Sequence, residues 1–284
     1  MTKIARQAKN ALEVIHSMIY FAPEAADGFA ALGLERGRMS YYAGRAAAMG
    51  PVGPGPVAAT FYNFNPESVA ASIPRAWSIA SPSAVLDARL RAADAALRRM
   101  LGDVSSAAIA EAAELAREAS QGCTPEGKPL YAAHADLDWP DEPHLQLWHA
   151  ATLLREFRGD AHIAALQRAE LSGVQALVLH SSTGEGFKPS AARELREWSE
   201  SQWAQAEQEL RERGLISGEG KTSEISEAGN ALREEIEAET DAMSMAPWRA
   251  LGEAKTEALI DNGRQVSRTL LKAGAAPRDL FGRD

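Results

Sequence analysis

Apolar positions recur at spacings of three and four along most of the chain, which predicts a protein built mainly of helices. Residues 4–21 form one such stretch, ended near Ala22-Pro23, and further helices are expected over 24–33 and 36–48. Asn65 and Pro66 are a helix start, with Asn as N-cap and Pro at the first helical position, and open a helix over 66–77. Residues 82–101 read as a long amphipathic helix with Val85, Leu86, Leu90, Ala93 and Leu97 on one side; 103–121 follow the same rule with Val104, Ala108, Ile109, Ala112 and Leu115. Two stretches interrupt the period. MGPVGPGPV, 49–57, is too rich in Gly and Pro for regular helix and reads as a loop, and GCTPEGKPLYAAHADLDWPDEP, 122–143, reads as a long polar connection. Beyond it come a helix over 145–158, a turn at Gly159-Asp160, helices near 160–170 and 172–180, and a loop over 180–189.

The pattern changes character between 198 and 243. Ser199 caps a helix that turns Trp203, Ala206 and Leu210 inward, and Gly214 supplies its left-handed stop. Leu215–Ile216–Ser217 is a short strand, Gly218–Glu219–Gly220 a tight turn, and 222–225 the returning strand; Ser226 then caps a helix containing Gly229, Leu232 and Ile236. The two halves also match in order. His16 aligns with His149 at an offset of 133, and FAAL (29–32) with IAAL (163–166), Gly50 with Gly184, Phe64 with Trp198 and Val69 with Trp203 at 134. A near-constant offset across several helices suggests an internal duplication, with chance matching of Ala-rich helices as the competing explanation.

Helix, RGLI (213–216), hairpin, then ISEAGNAL (225–232) resembles the winged-helix segment of MarR-type regulators. Over a longer span YFAPEA (20–25), YYAGRAAAMGPV (41–52), FYNFNP (61–66), LWHAATLLREFRGDAH (147–162), ETD (239–241) and PW (247–248) resemble the SalK-like helix-turn-helix family, a tandem MarR-related winged-helix group. The resemblance implies a mainly α fold of two tandem winged-helix-like (MarR-related) halves, the second with a short β-hairpin wing. The expected organisation is an N-terminal half over 1–102, a connecting helix and loop over 103–146, a C-terminal winged-helix half over 147–252, and a helix and tail over 253–284. Position 157, often His in that family, is Phe here, which counts against a metal site in this segment.

Composition narrows the function. The 284 residues are 45% hydrophobic and 24% charged, an ordinary globular balance. Cys123 is the single cysteine, so an intramolecular disulfide is excluded and a cytoplasmic setting expected. The N-terminal stretch is interrupted by Glu13 and His16 and reads as an amphipathic helix, not a secretion signal, and no run is long enough to span a membrane. Net charge is −9, with 23 Arg and 7 Lys. Residues 190–213 hold four Arg against six Glu, so DNA is a candidate partner disfavoured by an acidic recognition helix; Gln202, Gln205 and Lys221 are the side chains expected to reach it. Arg36, Arg38, Arg45, Arg89, Arg91, Arg98 and Arg99 read as solvated helix faces unless a homodimer gathers them.

The chemistry-bearing residues concentrate in 147–166. His149, Thr152 and Glu156 share one helix face, and His162 is expected to return towards His149 across the Gly159 turn. His16, Tyr20, Tyr41, Arg45 and Asn63 supply counterparts in the first half, and with His149, Arg155 and His162 they form the expected small-molecule site, in a cleft between the halves. No metal-ligand spacing, phosphate loop or nucleophile elbow is present, so neither metal nor cofactor is expected. The expected function is a small-molecule-binding protein of the transcription-regulator type with weak or lost DNA affinity. The alternative is an enzyme of specialised metabolism on the same scaffold, with His acid–base groups.

Overall fold

The structure is a computed structural model describing residues 2–218, 220–280 and 282, without the side chains of Thr2, Lys221 and Arg278. It is mainly helical. In chain order the helices are α1 (Thr2–Ser17), α2 (Pro23–Ala31), α3 (Arg38–Ala46), α4 (Pro54–Thr60), α5 (Pro66–Ser72), α6 (Arg75–Ile79), α7 (Pro82–Leu101), α8 (Ala107–Ser120), α9 (Pro129–Ala135), α10 (Pro143–Arg168), α11 (Gly173–Ser181), α12 (Pro189–Leu195), α13 (Glu200–Glu212), α14 (Glu227–Met243), α15 (Ala246–Leu251) and α16 (Glu253–Lys272). A two-stranded antiparallel sheet, β1 (Ile216–Ser217) and β2 (Glu224–Ile225), pairs Ile216 with Ile225 and Ser217 with Glu224. Among the described residues no helix is long and apolar enough to cross a membrane.

The chain divides into two compact units, each drawn from three stretches: 1–53, 72–161 and 241–276 form the first, and 54–71, 162–240 and 277–284 the second. In the first unit α1 lies along α16, which also packs on α7 and α8, while α2 and α3 pack on α7. The α1–α16 approach is close because the facing residues are small: Ala8 and Ala11 are buried, a Cβ on Gly263 would lie 3.4 Å from the Ala11 Cβ, and Ser267 Oγ donates to the Ala11 carbonyl at 2.6 Å. Asp241, 2% exposed at its side chain, accepts from both Arg6 and Arg158.

The second unit buries Leu166, Leu171, Leu177, Val178, Ala192, Trp203, Ala206, Leu210, Leu215, Ile216 and Ile236 in one core, with Trp198, Ile225 and Leu232 at its edge. Its helix–turn–helix is α12, the turn over 196–199, and α13. Ser199 caps α13 in a full capping box with Gln202. FYNFNP holds the turn from outside. The backbone N–H of Asn65 donates to the Arg196 carbonyl at 3.0 Å, its side-chain amide donates to the Glu197 carbonyl at 2.9 Å, and its carbonyl oxygen caps α5 through the Glu67 N–H. Trp198 Nε1 donates to the Asn63 carbonyl at 2.8 Å.

Four elements depart from the sequence expectations. The turn at Gly159 does not exist: α10 runs unbroken through Gly159 and Asp160. A helix-interior glycine costs only about 1 kcal/mol relative to Ala, too little to end a helix whose apolar period continues on both sides. Stretch 49–57 is not all loop, because α4 starts at Pro54, and its prolines occupy the first turn, where N–H groups lack helical partners anyway. The 122–143 connection contains α9, whose N-terminal N–H groups are satisfied from another helix: Asp160 accepts from Leu130 and Tyr131, both at 3.0 Å. The helix expected over 66–77 is two, α5 and α6, separated at Pro74.

Candidate functional site

Helical position decides which polar groups are buried in the first unit. On α10, His149, Thr152 and Glu156 follow one face at spacings of three and four, and all three are buried. Opposite them stand His16 at the end of α1, Tyr20 just after it, Tyr41 and Arg45 on α3, Arg89 on α7 and His134 on α9.

A directed hydrogen-bond chain links four elements. Thr152 Oγ1 donates to the Trp148 carbonyl at 2.9 Å, as helical threonines do. Its oxygen therefore accepts from His16 Nδ1 at 3.1 Å, which makes His16 the Nδ1–H tautomer. His16 Nε2 then accepts from the Tyr20 hydroxyl at 3.1 Å, and the Tyr20 oxygen accepts from Arg89. Burial pushes the His16 imidazolium down to about 3 and the Tyr20 phenol up to about 12, so both stay neutral near pH 7.

Beside this chain lies an ion-pair network. Arg45 grips Glu156 with two nitrogens, Nε to Oε1 at 3.1 Å and Nη2 to Oε2 at 2.8 Å. Arg155 approaches the same carboxylate at 3.9 Å and Glu13 at 3.5 Å. Burial opposes ionisation of Glu156, but the two guanidiniums prevail and hold its carboxyl well below the usual carboxylate range. Asp160, with no such cation in contact, is pushed up to about 6 by burial.

The third part is donor-rich and aromatic. The Arg89 guanidinium sits over the Trp148 ring, 4.4 Å from its centroid, and His149 meets Trp139 edge to face at 4.7 Å. Arg117 stacks on the other partner of that pair, 4.6 Å from the Trp139 centroid. Arg89 Nη2, Trp148 Nε1, His149 Nε2 and both ring nitrogens of His134 are buried without a hydrogen-bond partner. Burial and the charges of Arg89 and Arg117 lower the His149 imidazolium to about 4, and burial and the Arg89 charge hold that of His134 well below its ordinary value.

Six of the eight expected ligand residues therefore belong to the first unit: His16, Tyr20, Tyr41, Arg45, His149 and Arg155. Tyr41 contributes ring contacts, its centroid 5.2 Å from that of Tyr20. Asn63 and His162 belong to the second unit, where Asn63 offers its carbonyl to Trp198 and His162 Nδ1 meets Thr240 Oγ1 at 3.0 Å. His162 does not fold back on His149, because thirteen residues of unbroken helix separate them by about 20 Å. The sequence reading missed Arg89, His134 and Trp148 as members of this cluster. Arg89 could have been found: it falls on the buried stripe of α7 with Val85, Ala92, Ala93 and Ala96, where a solvated arginine has no place. Among the described residues no group of three or more His, Cys, Asp and Glu is arranged to hold a metal ion.

In the second unit, α13 exposes Glu200, Ser201, Ala204, Gln205, Gln208 and Glu212. Gln202 is occupied by its capping box, and Gln205 and Gln208 donate to Glu209 and Glu212, both at 2.9 Å. Arg211 donates to the Gly218 carbonyl at 3.2 Å, and Arg213 donates to the carbonyls of Ala169 and Glu170 beyond the end of α10. These cations brace the hairpin and a helix terminus. The side chain of Lys221, the third residue expected to meet DNA, lies outside the described residues.

A mainly helical chain with a capped helix–turn–helix, a short hairpin and a following long helix belongs to the class of helix-turn-helix proteins. Comparison with protein families agrees: a model described as a helix-turn-helix family matches residues 5–277. The chain belongs to this helix-turn-helix family. Searches of curated proteins and of solved structures found no match.

Proposed function

We propose that this protein is a ligand-responsive regulator of the winged-helix type, related to the SalK-like, tandem MarR-related group, with weak direct affinity for DNA. Its small-molecule site is the buried polar cluster of the first unit. The observation that carries this reading is the cost of that cluster. Arg45 and Arg89, three histidines and the Glu156 carboxylate are buried or nearly so, and several of their nitrogens have no partner. Apolar side chains of similar volume would hold the helices together at least as well, so stability alone does not account for the arrangement. Ligand sites are where such convergent polar groups are retained.

The wing assignment draws on β1, β2 and the placement of Gly229 against the Leu215 carbonyl. The duplication draws support from repeated local geometry. Asn65 and Ser199 both cap helices 134 positions apart, and Gly50 and Gly184, also 134 apart, have φ of 76° and 75°. Weak DNA affinity follows from an exposed α13 face that presents glutamates and glutamines, since phosphate neutralisation supplies most of the non-specific binding energy.

A gel-shift titration with genomic fragments over a salt series tests the regulator reading. Retardation at low salt that fades as salt rises is expected. No retardation at any salt would remove direct DNA binding; tight binding that persists at high salt would remove the weak-affinity claim.

A further inference from the structure

The reading end of the helix–turn–helix is already occupied by a segment of the same chain. A recognition helix meets base edges with its N-terminal residues. In α13 these follow the turn over 196–199, and α5, which belongs to the same unit, is bonded to that turn. The Asn65 amide donates to the Glu197 carbonyl and, at 3.3 Å, to Oε1 of Gln202, one of the side chains expected to reach DNA. Ser68 on the first turn of α5 donates to the Glu197 carboxylate, and Trp198 Nε1 donates back to the Asn63 carbonyl at 2.8 Å. Phe64 and Asn65 are 4% and 6% exposed, so water is largely excluded from the contact. Arg196, the turn's own cation, lies over the rings of Phe64 and Phe187, 4.8 and 5.1 Å from their centroids.

We propose that the α4–α5 stretch, 54–71, is an autoinhibitory clasp that keeps the N-terminal end of α13 out of the major groove. The inference rests on the regulator reading and names how its DNA-reading unit is held back. One helix with its side chains is about 10–12 Å across, close to the roughly 12 Å width of the groove. Helices in contact have axes about 8–10 Å apart, so two helix ends side by side measure about 20 Å and cannot enter together. Charge acts in the same direction: exposed Glu67 and Glu197 stand at the closed end, where a bound duplex would bring phosphates. On the duplication reading, 62–65 is the counterpart of 196–199, so the two reading ends face each other. Half-sites read by paired helix–turn–helix units lie about 34–36 Å apart instead.

Low-salt gel-shift titration of the full chain with genomic fragments, comparing wild type with Asn65→Ser, Trp198→Phe and the double variant, tests this. Circular dichroism of each protein confirms that it is folded. Serine keeps a cap on α5 and loses the amide donor, and phenylalanine keeps a ring and loses the indole N–H. Neither changes the charge, so a gain in affinity does not come from added phosphate neutralisation. Apparent affinity follows the open fraction, so each single variant should bind about three- to five-fold more tightly and the double variant at least ten-fold. Should the double variant fail to fold, the two single variants carry the test. Equal or weaker retardation by folded variants, with wild type still binding at low salt, would overturn the clasp and leave the regulator reading in place. Retardation by the variants with none by wild type would support the clasp and show the wild-type chain closed. No retardation by any of the four proteins would remove both the clasp and direct DNA binding.

Discussion

Glu156 shows what a single residue does in this fold. Its side chain is 1% exposed and held by both arms of Arg45, itself 11% exposed, with Arg155 alongside. Breaking a buried pair from one side leaves the other charge uncompensated and costs about 3–5 kcal/mol, more than the pair contributes against apolar replacements. Glu156→Gln should therefore lower stability by roughly that amount, and Arg45→Met combined with Glu156→Met should recover much of it. Urea unfolding of the two variants checks this. A loss below about 1 kcal/mol for Glu156→Gln would show that solvent reaches the pair. The Glu156 face of α10 was legible because His149, Thr152 and Glu156 are adjacent in helical register. Arg89 and His134 were not. One was counted with surface arginines because α7 carries four of them, and the other lay in a stretch whose prolines and glycines hid a seven-residue helix.

At the scale of elements, two helical glycines give opposite expectations. A Cβ on Gly229 would fall 2.1 Å from the Leu215 carbonyl oxygen and 2.8 Å from Ile225 Cγ1, at the start of α14 where it leaves the hairpin. Backbone and a branched side chain both stand in the way, so Gly229→Ala should destabilise by about 2–3 kcal/mol despite the better helix propensity of Ala. A Cβ on Gly159 meets Arg155 Nη1 at 2.7 Å, the far end of a flexible side chain. Gly159→Ala should therefore lie within about 1 kcal/mol of neutral, with propensity gain offsetting a shift of the guanidinium. Melting temperatures of the two variants decide it, and a Gly229→Ala protein as stable as wild type would mean the hairpin does not sit against α14. The same contrast explains what could be read in advance. Strong local signals placed α7, the Ser199 cap and the Gly214 stop, because caps and left-handed glycines act within a few residues. The Asp160 cap of α9 and the Asn65 clasp on the α12–α13 turn depend on partners 29 to 132 residues away, for which no local pattern exists.

For the molecule as a whole, buried titrating groups set the response to acid. His16, His134 and His149 all have imidazolium pKa values lowered by burial, to about 3 for His16 and about 4 for His149. Below about 6.5 the unfolded chain takes up protons at these positions that the folded chain refuses, so stability is present above that pH and is lost as pH falls towards the folded values. His149 alone accounts for up to about 3 kcal/mol between pH 6.5 and 4, at 1.36 kcal/mol per pKa unit. Asp160 acts in the opposite sense: with its pKa raised to about 6, the folded chain holds a proton that the unfolded one releases, which favours folding as pH drops from 6 to 4. Acidification also relieves the self-repulsion of a chain with net charge −9, but that contribution is spread over the surface and is screened beyond about 8 Å at physiological ionic strength. Three buried histidines outweigh one buried aspartate and a screened surface term, so the melting temperature should fall steadily from pH 7 to pH 4.5. His149→Phe, which keeps an aromatic ring against Trp139 and removes one titrating group, should flatten that slope; a variant and wild type with parallel slopes would mean His149 reaches water and titrates as it does in the unfolded chain.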